Sequence, residues 1–209
     1  LFSLAEFVVL ENKSHHKASI AKDYAYYQEV NEVLQEDLLL FDNSEFYVAV
    51  YDEMIIGSVK VTFWDGKTLL PMEKLFGIKC RDLPFADQLI WQVGRLAISK
   101  NNNTSGINLL KQLLTIAVHS ICKYADSVML AECDKKLLRI LNLLGIRTET
   151  LAPGIQYLGS ETIPIFSTHD WLSAFLKDNP YIDQIPEIGN KNNKFNVHQV
   201  ETSNNLFPI

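Results

Sequence analysis

Cysteine is scarce in this chain: three residues in 209, Cys80, Cys122 and Cys133. The count is odd and no CxxC spacing occurs. A disulfide framework and a zinc ribbon are therefore excluded, and free thiols in a reducing compartment are expected. No run of about 18 apolar residues exists, so no transmembrane helix and no integral membrane association is expected. The opening LFSLAEFVVLENK is apolar, but it lacks a positive n-region and a small-residue cleavage site. It does not read as a signal peptide, and a cytoplasmic protein is expected. A basic excess is missing too. Lys plus Arg is 19 against 25 for Asp plus Glu, a net charge of −6, which argues against a nucleic-acid partner. There is no complete G-x-x-x-x-G-K-[ST] phosphate loop, since Gly66-Lys67-Thr68 has Val61 where the first glycine would stand, and no HExxH, so neither a nucleotide triphosphate site nor a metal is expected. Internal repeats are absent.

What is present is an ordinary globular mix, 47% apolar and 21% charged. A chain of this length buries enough surface to fold without a staple. One domain over 1–182 is expected. Beyond it, DQIPEIGNKNNKFNVHQVETSNNLFPI is rich in Asn. Residues 183–209 read as an irregular tail, packed by Phe195, Val197 and Leu206. Helical spacing covers 18–38, with Ile20, Tyr24, Tyr27 and Val30 near one face. FYVAVY and IIGSVKVTF form a hairpin turned at Asp52-Glu53. LPMEKLF is a short helix with Pro71 in its first turn, and LIWQVGRLAI (89–98) is a strand. Residues 107–124 form a helix with the stripe Ile107, Leu110, Leu114, Ala117 and Ile121. SVMLAE (127–132) is a buried strand of the parallel kind. A helix over 135–144 stops at Gly145. Strands near 147–151 and 163–167 and a helix over 170–176 follow. The order gives an α/β (α+β) fold with a mixed sheet and one β–α–β crossover.

Chemistry concentrates in 89–106, where a strand runs through a polar loop to a helix N-terminus. Unpaired first-turn N–H groups and the helix dipole make such a place an anion site. Asn102, Asn103, Thr104, Ser105 and Gly106 are its candidate phosphate-nest residues. An ordinary solvated loop is the alternative. Gln92, Gly94 and Arg95 interrupt the apolar strand. By strict alternation Gln92 and Arg95 face opposite sides; a bulge at Gly94 brings them to one side. The alternative for Arg95 is a plain ion pair, with Asp87 or Glu73 as partner. Lys60, with Ser58 and Thr62, reads locally as the solvated face of an antiparallel strand. Glu132, Cys133 and Asp134 end the apolar strand at the side where open sheets place ligands. Cys133 has no basic neighbour in sequence to make it a nucleophile.

Taken in order, several stretches resemble the GNAT superfamily of acyltransferases. Within it they resemble the branch of acyl-homoserine-lactone (autoinducer) synthases and N-acyl amino acid synthases. FYVAVYDEMIIGSVKV is similar to the family hairpin whose second strand ends in Gly-x-x-Arg. TLLPMEKLFG is similar to the next segment, which ends in a Phe. IWQVGRLAI is similar to the strand that reads Glu-x-x-Arg. RILNLLGIRTETLAPGIQYLGSETIPIF resembles the closing helix–Gly–strand–turn–strand. The likeness covers roughly 45–168.

The resemblance implies a GNAT-like sheet, helices on both faces, and a V-shaped splay between strands 91–98 and 127–132. It implies an N-acyltransferase that moves an acyl group from a phosphopantetheine thioester to a small amine or amino acid. The donor is acyl-carrier protein or acyl-CoA, and the carrier protein is the favoured partner. Leu96, Ala97 and Ile98 would line the pantetheine arm, with the Leu96 N–H polarising the thioester carbonyl. Lys60 and Arg95 would position an anionic group beside Phe76. Phe63 and Trp91 would house the acyl tail, or simply be core. Several departures stand out. Lys60 occupies the family's hairpin arginine position and loses its bidentate fork. Gln92 stands in place of the glutamate and accepts no proton, so water or Glu132 is left as the base. The general-acid Tyr of many GNAT enzymes falls on Leu141, and their glycine phosphate loop is missing. The N-terminal Arg, Phe and Trp of the lactone synthases have no match, and Glu36-Asp37, Asp42 and Glu45 echo their acidic cluster only in part. A short-chain acetyltransferase using acetyl-CoA and a non-catalytic acyl-binding relative are the rival readings.

Overall fold

The computed structural model describes residues 1–13, 24–99, 106–157, 160–180 and 196–200. Among the described residues there are an eight-stranded mixed sheet and six α-helices. The strands are β1 (Ser44–Tyr51), β2 (Met54–Phe63), β3 (Leu89–Ile98), β4 (Ser127–Asp134), β5 (Glu149–Thr150), β6 (Ile155–Tyr157), β7 (Ser160–Thr168) and β8 (Asn196–Val200). Their order is β5-β7-β4-β3-β2-β1-β8, with β6 also paired to β7. The parallel pair β3·β4 is the product of the expected crossover; β1·β8, β4·β7, β5·β7 and β6·β7 are antiparallel. The chain falls into two compact units. One comprises 1–60, 95–113 and 182–209, the other 61–94 and 114–181.

In the first unit, α1 (Phe2–Lys13) packs on the sheet. Leu4, Phe7 and Val8 meet Phe46 of β1 and Ala97 of β3. The other side of α1, Ala5 and Val9, meets Tyr26 and Val30 of α2 (Tyr24–Leu39). The apolar opening of the chain is thus a helix. The face expected for α2 needs correction, since Tyr24 is 84% exposed and Tyr27 is exposed as well. Tyr26, Val30 and Asp37 are the buried side instead, because α2 must cover α1 as well as the sheet. Ile20 and the N-cap candidates Asn103 and Thr104 lie outside the described residues. The β1–β2 turn is Asp52-Glu53, both left-handed (φ 49° and 60°), as two-residue turns matching strand twist require. On the face of β2 opposite Lys60, a Cβ on Gly57 would meet Leu113 at 3.0 Å and Leu109 at 3.2 Å. Glycine there lets α4 (Gly106–Cys122) lie close to the strand. Within the segment read as an irregular tail, Asn196–Val200 is a strand paired to β1, with Val197 buried. Phe195 and Leu206 lie outside the described residues.

In the second unit, β4 is buried along nearly its whole length between β3 and β7, as an apolar central strand must be. One face of the sheet carries Ile90, Val128 and Leu130 against Leu70, Met72, Cys80 and Phe85, with Phe76 and Trp64 at the rim. The helix α3 (Pro71–Phe76) is tied there by Glu73. Its carboxylate accepts from Leu70 N (2.9 Å) and from Cys80 N (2.9 Å). On β4's C-terminal side, Asp134 caps α5 (Lys135–Leu143) by accepting from Leu137 N at 2.7 Å. The helix α6 (His169–Asp178) closes the unit. The stripe of α4 holds at Leu110, Leu114, Ala117 and Ile121, which are buried, whereas Ile107 is exposed.

Candidate active site

The strand β3 contains an irregularity that shapes everything around it. At one end Trp64 N donates to Ile90 O, and at the other Ser99 N donates to Ile56 O. Between these bonds β2 advances eight residues and β3 nine. One extra residue on one strand is a β-bulge, which reverses the alternation beyond it and bends the strand. The expected bulge is therefore there. The residue that absorbs it is not Gly94 but Arg95, left-handed at φ 53°. That conformation costs a non-glycine residue about 1–3 kcal/mol and persists only where its surroundings hold it. The ladder between β3 and β4 runs from Leu89↔Ser127 to Val93↔Ala131 and stops one residue short of Gly94. Both strands continue past that point, β3 to Ile98 and β4 to Asp134.

What holds Arg95 is clear from its partners. Its Nη2 donates to Glu36 Oε2 at 2.6 Å and its Nε to Asp37 Oδ1 at 3.1 Å. Neither Asp87 nor Glu73 is its partner. Asp37 also accepts from Lys60 Nζ at 2.7 Å, and these two groups are 2% and 3% exposed. Lys60 is therefore not on a solvated face, and its ammonium also lies 5.6 Å from the Phe46 ring centroid. The four charges balance, two against two. Burial pulls the Lys60 pKa below the ordinary lysine range, although Asp37 opposes it. For Arg95 burial acts downward too, but Asp37 and Glu36 outweigh it and hold the guanidinium above its usual value. Lys60 and Arg95 are thus already neutralised and do not form a bare anion hook. On the backbone side, Ser58 Oγ donates to Arg95 O at 2.7 Å.

In the second unit, Gln92 and Glu132 meet. Gln92 is 3% exposed. Its Nε2 donates to both Glu132 carboxylate oxygens, at 3.0 and 2.7 Å, and its Oε1 accepts from Met72 N at 3.4 Å. The two ends fix which way the amide points, because only its nitrogen donates. Glu132 lies two residues beyond Leu130, the register partner of Gln92, on the same face of β4. A carboxylate missing from position 92 is thus supplied from the next strand. Phe76 sits against the cluster on this face. Phe63 and Trp91 occupy the other face, ring centroids 5.0 Å apart, with Trp91 stacked on Tyr124 at 5.3 Å. Leu96 and Ile98 are half-buried, and Ala97 is buried against α1. Asn102, Asn103, Thr104 and Ser105 lie outside the described residues. Gly106 begins α4 and is exposed. Sequence reasoning placed Ser58 on a solvated face, whereas it is 1% exposed, and did not pair Glu36-Asp37 with Arg95. The signal for Ser58 was its i, i+2 relation to Lys60.

Cysteine chemistry is remote from this site's capabilities. Burial, together with the Asp134 and Glu132 charges, pushes the Cys133 thiol up to about 12. Burial and Glu73 push Cys80 up to about 12 as well. Iodoacetamide at pH 8 should leave both unmodified in the native protein and label them after denaturation, read by peptide mass spectrometry. Rapid native labelling of Cys133 would return it to candidacy as a nucleophile. Among the described residues no group of three or more His, Cys, Asp or Glu is set to hold a metal. Among them, too, no helix is long and apolar enough to cross a membrane.

No protein-family model matches the chain, and no curated protein matches it. Solved structures do. The N-acyl amino acid synthase FeeM from uncultured soil microbes is similar over 82% of this chain and 92% of its own, at 14% identity and TM-score 0.59. The acyl-homoserine-lactone synthase LasI covers 87% and is itself covered over 91%, at 12% identity and TM-score 0.56. The CoA-dependent lactone synthase BjaI, solved with SAM and isopentyl-CoA, gives 86% and 84%, 12% and 0.55. The chain has the GNAT-like fold of these synthases. The mixed sheet expected from the sequence is that of the structure, with α1, β6 and β8 added to the expected elements.

Proposed function

We propose that the protein is an N-acyltransferase that moves an acyl group from a phosphopantetheine thioester to a small amine or amino acid. The observation that carries this reading is the end of the β3·β4 ladder at Val93↔Ala131, at the start of a bulge on β3. Past the bulge, β3 offers main-chain groups of Leu96, Ala97 and Ile98. The amides of a pantetheine arm can pair with them as an added strand. The Leu96 N–H polarises the thioester carbonyl and stabilises the oxyanion that forms when nitrogen attacks.

Glu132 is the proton acceptor in this reading. An amine attacks only as the free base, so a carboxylate within reach of the ammonium proton serves the step directly or through one water. Gln92 holds that carboxylate in place by donating to both oxygens. Arg95, with Glu36, Asp37 and Lys60, keeps β3 in its bulged course. Phe76 packs on the apolar cluster of Met72, Ile90 and Leu130 on the face that carries Gln92 and Glu132. Phe63 and Trp91 furnish apolar surface of the kind an acyl tail needs. Of the similar structures, FeeM is an N-acyl amino acid synthase and BjaI is a CoA-dependent lactone synthase solved with isopentyl-CoA. A carrier protein is favoured here, since its single phosphodiester asks less of a glycine loop than CoA does.

The test is to incubate the purified protein with medium- and long-chain acyl-carrier-protein thioesters, the matching acyl-CoAs and acetyl-CoA, each with a mixture of amino acids and amines. Acylated products and free thiol are read by mass spectrometry. Turnover with carrier thioesters and not with CoA supports the full reading. Turnover with acetyl-CoA alone moves it to the acetyltransferase class. Binding without turnover of any donor overturns it in favour of an acyl-binding relative.

A further inference from the structure

We infer that Ser58 is a positioning residue that aims the Leu96 N–H, an inference that rests on the acyl-transfer reading above. The Arg95 carbonyl and the Leu96 N–H are the two ends of one peptide plane. The described backbone contains no cis peptide bond, so in that plane C=O and N–H point in opposite directions. Ser58 Oγ, on β2, takes the Arg95 oxygen at 2.7 Å. Fixing the oxygen toward β2 turns the Leu96 N–H toward the opposite edge of β3. That is the edge whose ladder with β4 has ended at Val93.

Ser58 is 1% exposed, so its hydroxyl has no bulk water to turn to and the bond is not an incidental surface contact. At the left-handed Arg95 a buried side-chain hydroxyl donates to the carbonyl. The guanidinium is held independently by Glu36 and Asp37. The side chain of Arg95 thus fixes where the bulge lies, and Ser58 fixes how its peptide plane is rotated. An oxyanion donor is sensitive to the second of these, since its contribution falls off as the N–H swings away from the developing charge.

The experiment compares S58A, S58C and S58T. S58A removes the donor, S58C keeps a weak one and S58T keeps a full one. The expected result is a kcat about 10- to 100-fold lower for S58A, an intermediate value for S58C, and recovery in S58T, with donor KM within about threefold throughout. A loss that falls on KM, or equal kcat across the three, overturns the inference. Amide NMR reads the same geometry without turnover. The Leu96 resonance should move in S58A and S58C and stay near its wild-type position in S58T; an unmoved Leu96 resonance in S58C overturns the clamp. Should S58A not fold, the S58C–S58T comparison carries both readouts. Should the wild type transfer no acyl group, the functional reading falls while the NMR comparison still decides the clamp.

Discussion

Replacing Glu132 by Gln is expected to lower kcat by about 10²–10⁴-fold, the span usual for a general base, while donor KM stays within about threefold. The substitution is gentle on the fold. Gln92 Nε2 now donates to two carboxylate oxygens, and the new amide keeps one acceptor for it. The partner change, Gln92→Glu, separates the base from its support. It keeps an acceptor for Met72 N and sets a second carboxylate about 3 Å from the first. Two carboxylates that close share a proton, so the pair's upper apparent pKa rises. A base works only when deprotonated, and its rate is lost as pH falls through its pKa. The acid limb of the kcat/KM profile in Q92E should therefore move to higher pH, with the alkaline plateau largely retained. An E132Q protein with kcat within about threefold of wild type would remove Glu132 from the mechanism. A Q92E protein with an unmoved acid limb would show that the pair does not titrate in the catalytic cycle.

That pair illustrates what was legible in the sequence. Gln92 and Glu132 are 40 positions apart, and β3 and β4 were each visible as apolar runs. The crossover helix makes the two strands parallel, but the register that sets Gln92 opposite Leu130, and so beside Glu132, is not written in either strand alone. The hairpin, its Asp52-Glu53 turn and the helix after β4, stopped at Gly145, were legible because periodicity and turn chemistry are local. The departures are all long-range. Lys60 alternates with valines like any half-solvated strand residue. It is buried because Asp37, 23 positions earlier, comes with α2 to neutralise it. The partners of Arg95 were misplaced for the same reason: ion pairs are chosen by helix packing, not by sequence distance. The bulge was foreseen at Gly94 because glycine tolerates left-handed backbone. It falls on Arg95, where tertiary bonds to the carbonyl and the guanidinium offset the strain. The strand Asn196–Val200 was hidden in a polar segment, since an edge strand buries only alternate residues and Val197 alone shows it.

The largest stability effect is expected at Asp37. It is the only carboxylate among the described residues that pairs with both Lys60 and Arg95, and it is 2% exposed. Asp37→Ala leaves the Lys60 ammonium buried without its ion-pair partner and strips one of two carboxylates from Arg95. Losing one partner of a buried pair costs about 3–5 kcal/mol. Lys60→Met costs less, about 1–3 kcal/mol, because Asp37 keeps the Arg95 Nε. The double variant D37A/K60M removes the stranded charge and should be more stable than D37A alone, since buried pairs are often replaceable by apolar groups. Urea midpoints, with m-values checked for constancy, measure all three. pH gives an independent check with a definite sign. Burial lowers the Lys60 pKa and Asp37 opposes that shift, so in D37A the folded pKa lies further below the unfolded one. Between those two values the unfolded chain binds more protons than the native one, and stability rises with pH. The D37A deficit should therefore be full below the depressed pKa and shrink as pH climbs toward the ordinary lysine value. In D37A/K60M that slope should vanish. A deficit under about 1 kcal/mol, or a D37A slope that persists in the double variant, would show that Lys60 is not held in place by Asp37.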